Sequence, residues 1–332
     1  MTVLSRMGTV AGLIAGAASF FAAHAVAQTK QVTVFIGPAP IYDSIWMADA
    51  RGFFKAEGLD VQFRLFPSGT TALQTFRTGQ GDLITNGELP GVAHWANTNK
   101  DYRLISVIER DAITYRITAL KDIQKPQDLK GKTIATRVGS TGSWFISTYL
   151  QKNGMSDKDV TIKNLDTQVL PTALCQREIA AFFIWQPFGA RALEICPDRA
   201  HYIGSAEGLI NGYAVLGARP AWLATPDGKD IATRFLRAMQ KGKEVAEKDF
   251  DAVAKYAQEK YSLSRQATKD QWDTNGRHIG FDETFFSDHC NLAAWMRDNN
   301  LMKGPFDFNE YIWTDGWRAI DPKLVKAMPN AC

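Results

Sequence analysis

No two of the four cysteines, Cys175, Cys196, Cys290 and Cys332, stand as C-x-x-C, so a zinc ribbon or dithiol redox centre has no ligand framework. The histidines outside the first 27 residues (His94, His201, His278 and His289) are scattered and adjoin no acid-rich motif, so no metal is expected. Ser140 and Ser143 lack a G-x-S-x-G elbow, which argues against serine hydrolysis, and no organic cofactor is expected either. Charge is nearly balanced, 38 basic against 35 acidic residues. A net charge of +3 lacks the basic stripe of a nucleic-acid binder. There is no low-complexity run and no period of the solenoid type. After residue 27 nothing approaches the ~20 strongly apolar residues of a membrane span.

What is present begins with a leader. Arg6 gives a short positive start, an Ala- and Gly-rich apolar run follows, and Ala25-Val26-Ala27 is an A-x-A cleavage site before Gln28. That order reads as a signal peptide over residues 1–27, which sends the mature chain to the periplasm. No cysteine stands at the cleavage site, so a lipid anchor is not expected. Four cysteines in an exported chain imply disulfides, and they allow three connectivities. Pairing Cys175 with Cys196 and Cys290 with Cys332 closes two loops that do not cross.

The hydrophobic pattern repeats strand, helix, strand twice. Gln31–Gly37 is a short β-rich run, and Asp43 or Ser44 can cap a helix through to Gly58. Leu59–Phe66 alternates as a strand, Pro67–Thr70 turns into a helix, and LITN is a third strand. The second copy holds TIATRV, a helix from Ser143, a strand at Asp159–Leu165, a helix near Pro171–Arg177 and the buried strand Ile179–Trp185. The fold class is therefore α/β, with parallel-rich sheets flanked by helices. Leu104–Glu109, Thr114–Leu120 and Tyr213–Leu216 are apolar and extended, suited to crossing between two units. After Asp230 the chain is largely helical.

The runs RGFFKAEGLDVQF, FPSGTTALQ, TGQGDLITNGELP, DLKGKTIATRVGSTGSWF and REIAAFFIWQPF stand in one order along the chain, and AAWMRDNNLMKGPFDFNEYI follows. In this the sequence resembles the nitrate/sulfonate/taurine-type periplasmic binding proteins, a family that also covers pyrimidine-binding and thiamine-pyrimidine-synthase-like proteins. The resemblance implies a two-lobed type II periplasmic-binding-protein fold with the ligand in the interlobe cleft. It puts residues 28–117 plus 216–332 in lobe I and 118–215 in lobe II. It also implies a monomer that hands a small molecule to the membrane permease of an ABC transporter. The family often has an acid where Ala180 stands and Glu where Gln186 stands. Both differences remove negative charge near the expected cleft wall, which favours an anionic ligand. A pyrimidine or other heteroaromatic ligand is the alternative, and a sensor role stays open. A synthase-type enzyme would need a Cys-rich motif, which this chain lacks.

Open α/β sheets bind ligands beyond the carboxyl ends of their strands, so the loops after the strands carry the candidates. Tyr42 and Trp46 follow the first strand; Trp46 either walls a ligand or packs on the sheet. Ser68, Gly69 and Thr70 start a helix, where free backbone N–H groups can meet an anion or simply be capped. Asn86 and Glu88 follow the third strand; Glu88 either pairs with an ammonium group or stays solvated. Arg137, Ser140, Thr141 and Trp144 surround a Gly/Ser/Thr loop that opens a helix directly after a strand, the strongest anion-site signal in the chain. Arg137 either grips a sulfonate or carboxylate or stands exposed. Trp185 and Gln186 end the buried strand, as core or as cleft wall.

Overall fold

The computed structural model describes residues 29–332 and the first two; the leader expected over residues 1–27 otherwise lies outside the described residues. The first sheet has the order β2-β1-β3-β10-β4, with β1 Lys30–Ile36, β2 Leu59–Leu65, β3 Leu83–Gly87, β4 Arg103–Asp111 and β10 Gly212–Ala218. The second has the order β7-β6-β8-β5-β9, with β5 Tyr115–Leu120, β6 Thr133–Thr136, β7 Thr161–Asn164, β8 Ala181–Trp185 and β9 Ala200–Ser205. Three strands are parallel in each sheet, β2-β1-β3 and β7-β6-β8. The next strand along, β10 or β5, runs antiparallel. The two sheets thus repeat one plan, as the two sequence copies require.

Helices α1 Asp43–Ala50, α2 Phe53–Ala56, α3 Gly69–Phe76 and α4 Glu88–Asn97 serve the first sheet, and α5 Thr141–Lys152, α6 Leu170–Cys175 and α7 Phe188–Ile195 the second. β8 shows why its sequence AFFIW is apolar throughout: Phe183 packs in the main core with Phe145 and Tyr149 of α5, while Phe182 joins a separate cluster with residues of α6 and α7. A strand buried on both faces has no polar alternation to show.

Two local expectations give way. The single helix from Asp43 to Gly58 is broken at Gly52, whose φ of +69° only glycine adopts freely, so it becomes α1 and α2. Neither Asp43 nor Ser44 caps it: the N-cap position is Tyr42, with no side-chain cap bond. Asp43 is instead fully buried and holds Arg277, with Nη2 to Oδ2 at 2.5 Å. A buried guanidinium demands a counter-ion more strongly than a helix end demands a cap.

The three segments expected to cross between units are sheet strands, β4, β5 and β10. Their apolar runs are spent on burial within a sheet. The crossings are the short links after Asp111 and before Tyr115, and between Ser205 and Gly212. Two disulfides, Cys175–Cys196 and Cys290–Cys332, tie α6 to the end of α7 and the C-terminus to the helix Glu283–Asp298. No described helix is long and apolar enough to cross a membrane.

Candidate functional site

A cavity of about 20 Å³ lies between the two sheets, lined by Ile41, Tyr42, Gly69, Thr70, Asn86, Gly87, Pro90, Tyr115, Ser140, Thr141, Trp185 and Ala214. These residues follow the carboxyl ends of β1, β2, β3 and β6, end β3 or β8, or belong to the antiparallel strands β5 and β10. Both lobes contribute, and they touch. A Cβ on Gly87 would stand 2.9 Å from Thr141 Oγ1 across the interface, so the residue there has to be glycine for the approach to occur. Thr167 Oγ1 donates to the Pro67 carbonyl at 3.0 Å from one lobe to the other.

Four helices begin at this cavity. α3 is capped by Ser68, whose Oγ accepts from Thr71 N at 3.2 Å. α5 is capped by Ser140, whose Oγ accepts from Gly142 N at 3.2 Å and donates to the Arg137 carbonyl at 2.6 Å. α4 starts at Glu88 after Gly87, and α1 starts directly after Tyr42. Thr71 N and Gly142 N are taken by the caps and Asp43 N by the Pro40 carbonyl; the other first-turn N–H groups have no intrahelical acceptor, and these starts bring positive dipole ends to the cavity. Thr70 Oγ1 is buried with no hydrogen-bond partner. No basic side chain lines the cavity.

The electrostatics behind the wall are unusual. Glu88 is 1% exposed; its Oε2 accepts from Tyr213 N at 3.0 Å, and its Oε1 has no partner. Burial pushes this carboxyl up to about 8. Glu109 is fully buried beside it, and burial, then the nearby Asp111, Glu88 and Asp43, push it well above the carboxylate range. Desolvation also raises the Tyr42 phenol to about 12 and the Tyr115 phenol well above its ordinary value. At neutral pH the wall is thus lined by protonated hydroxyls and backed by neutral carboxyls.

Of the residues singled out in the sequence, Tyr42, Gly69, Thr70, Asn86, Ser140, Thr141 and Trp185 meet at the cavity. Six do not line it. Trp46 is fully buried in the core, its ring 4.7 Å from Tyr261 and 5.7 Å from Tyr256. Ser68 is taken up by its cap bond. Glu88 is neither solvated nor at the surface of the cavity, but sealed behind it. Arg137 pairs with Asp166 at 3.0 Å. Trp144 packs against Trp295 at 6.4 Å, and Gln186 spends its amide on Tyr202 and on Ala190 N. Ala180 lies just before β8, at the opposite end of that strand from Trp185, so its missing acid does not bear on this cavity. Ile41 and Gly87 lie in loops the sequence points to, after β1 and around Asn86; Pro90, Tyr115 and Ala214 were not foreseen. Tyr115 and Ala214 sit just beyond the two crossings, where the chain must pass the cleft, and that position was the available signal.

A model of the family described as NMT1/THI5 like matches residues 40–252. A chain of Brucella abortus, described as a candidate binding protein, is 28% identical over 161 residues, 48% of this chain and 49% of its own length. The taurine-binding periplasmic protein of Escherichia coli K12 is 27% identical over 168 residues, 51% of this chain and 52% of its own. The chain spans about half the length of the curated relatives it matches. Among solved structures, the alkanesulfonate-binding protein SsuA of Xanthomonas axonopodis pv. citri, bound to MOPS, superposes with a TM-score of 0.74 at 17% identity, covering 87% of this chain and 99% of that one. The desulfurization enzyme DSZB superposes at 0.69 with 15% identity, covering 89% and 99%, so this fold also carries catalysis.

Proposed function

The chain belongs to the NMT1/THI5-like family, and from that premise we propose that it is the solute-binding subunit of an ABC importer, taking a small organic anion, sulfonated or carboxylated, between its lobes and passing it to a membrane permease. The observation that carries this reading is the meeting of four helix N-termini from two lobes at one cavity without a basic side chain. Backbone N–H groups and the hydroxyls of Thr70 and Thr141 are the donors an anionic head group needs. Tyr42, Tyr115 and Trp185 supply apolar faces for the rest of the molecule.

A cavity of about 20 Å³ takes little more than a water. Ligand entry therefore requires lobe I (28–117 with 216–332) and lobe II (118–215) to part and close again, with contacts such as Thr167 to Pro67 remade on closing. The permease would read the closed form. Binding rather than catalysis is favoured because the lining holds no His and no Cys, and Ser140 Oγ is spent on a backbone carbonyl. Export to the periplasm after removal of residues 1–27, and a monomeric state, complete the proposal.

The test is a thermal-shift screen of short alkanesulfonates, carboxylates and pyrimidines. A rise in melting temperature with sulfonates or carboxylates, and return of the ligand chemically unchanged after denaturation, supports it. A response confined to neutral pyrimidines moves the reading to a heteroaromatic nutrient; a modified product moves it to an enzyme.

A further inference from the structure

We propose that Glu88 is a proton-linked determinant of affinity: the cavity accepts its anion only while this sealed carboxyl carries a proton, and the proton sets the direction of the Thr141 hydroxyl. This rests on the reading of the cavity as an anion site.

Glu88 is the first residue of α4, between the lining residues Gly87 and Pro90. It belongs to lobe I. Across the interface stands Thr141, the first residue of α5, whose Oγ1 comes so near that Gly87 has no room for a Cβ. The Thr141 hydroxyl is a neighbour of both Glu88 and Tyr115, and Thr141 lines the cavity. Thr141 therefore stands between a buried carboxyl and the space for the ligand.

Among the described residues, no cation is a named neighbour of Glu88. Glu109 faces it from β4, Tyr213 from β10, Tyr115 from β5, Asp288 from the helix Glu283–Asp298 and Tyr311 from the segment Phe308–Tyr311. His289, behind Tyr213, is held neutral by burial, its ring pushed down to about 3. Arg110, a neighbour of Tyr213, is engaged by Asp282, and Arg277 by Asp43. α3 and the first turns of α5 present no titratable group. An ionised Glu88 would be a sealed, uncompensated charge, which is why the proton stays.

The unpartnered Oε1 is where that proton belongs, since Oε2 already accepts from Tyr213 N. With Oε1 protonated there is no carboxylate charge to draw the neighbouring Thr141 hydroxyl, which is free to donate into the cavity. With Glu88 ionised, Thr141 must donate to the carboxylate and turns lone pairs, backed by a negative charge, toward the anion.

The experiment is calorimetric titration of propanesulfonate, whose head group does not titrate, into wild type and Glu88→Gln from pH 7 to pH 9. Because only the protonated fraction binds, wild-type affinity falls about tenfold across that range. Glu88→Gln, which keeps an acceptor for Tyr213 N and a donor for Thr141, retains the wild-type affinity of pH 7 and shows a flat profile. A flat wild-type profile, or a variant that declines in parallel, overturns the proposal.

A second arm needs no ligand. Glu88 has an ordinary value of 4.5 and about 8 when folded, so the folded chain holds a proton that the unfolded chain releases between those values. Its contribution to stability is present at low pH and is lost as pH rises through that window. The melting temperature of Glu88→Gln should thus gain on wild type from pH 5 to pH 8; a constant gap overturns the proton on Glu88. If propanesulfonate fails to bind wild type at any pH, the sulfonate reading of the cavity falls, and this arm still decides Glu88.

Discussion

Arg277 and Asp43 form the most deeply buried ion pair of the described residues, with side chains 7% and 0% exposed. Removing one partner strands the other charge away from water. Arg277→Gln should cost about 3–5 kcal/mol in chemical denaturation, while a folded variant keeps its ligand affinity, because neither residue lines the cavity. Trp46 belongs to the same core. Trp46→Ala should cost about 3–5 kcal/mol through the cavity it leaves, and a loss of affinity without loss of stability would return Trp46 to the ligand. In the sequence Tyr42, in a loop beside prolines, leans toward the pocket, while Trp46, four residues on, reads equally as pocket wall or core. What separates them is Tyr256 and Tyr261, which close over Trp46 from more than 200 positions away. Glu88 was similarly half legible: its place after β3 was readable, but its burial depends on Tyr213 and Glu109, which only the sheet order brings beside it.

Among the elements, the strands and the loops behind them were the most legible, because they rest on local pattern and on a topological rule. Thr70, Ser140 and Thr141 were found from their position after a strand and before a helix, with no knowledge of distant residues. The boundary of α1 and α2 was missed because the helical pattern runs on through Gly52 while the backbone there turns left-handed. The disulfide Cys175–Cys196 closes a loop with a sequence separation of 21 and links α6 to the end of α7. Replacing both cysteines by alanine should lower stability by roughly 3 kcal/mol, chiefly by freeing the unfolded chain. Scanning calorimetry on oxidised wild type and the double variant checks this; equal melting temperatures would show that the packing of α6 on α7 alone holds this edge.

For the whole molecule, the two-sheet plan was visible as a repeat, whereas the crossings were misread because a buried strand and a linking strand share one composition. Ligand entry and capture need the lobes to part and close. Thr167→Val removes the hydroxyl that reaches the Pro67 carbonyl between lobes. It should weaken propanesulfonate binding severalfold, in the dissociation rate rather than the association rate, since the contact is made only on closing. Surface plasmon resonance separates the two rates, and an unchanged dissociation rate would remove Thr167 from the closed form.

The proposed function puts the anionic head group at the start of α5. Thr141→Asp puts a carboxylate where that charge belongs, in a poorly hydrated site at a helix start, where an acid by itself is compatible with the helix. Calorimetric titration of propanesulfonate at pH 7 into wild type and Thr141→Asp, with circular dichroism as the control for folding, is the direct measurement. A loss of about 100-fold or more in affinity is expected in a folded variant. A folded Thr141→Asp that binds as tightly as wild type would contradict it and move the head group to the other side of the cavity, at Gly69 and Thr70.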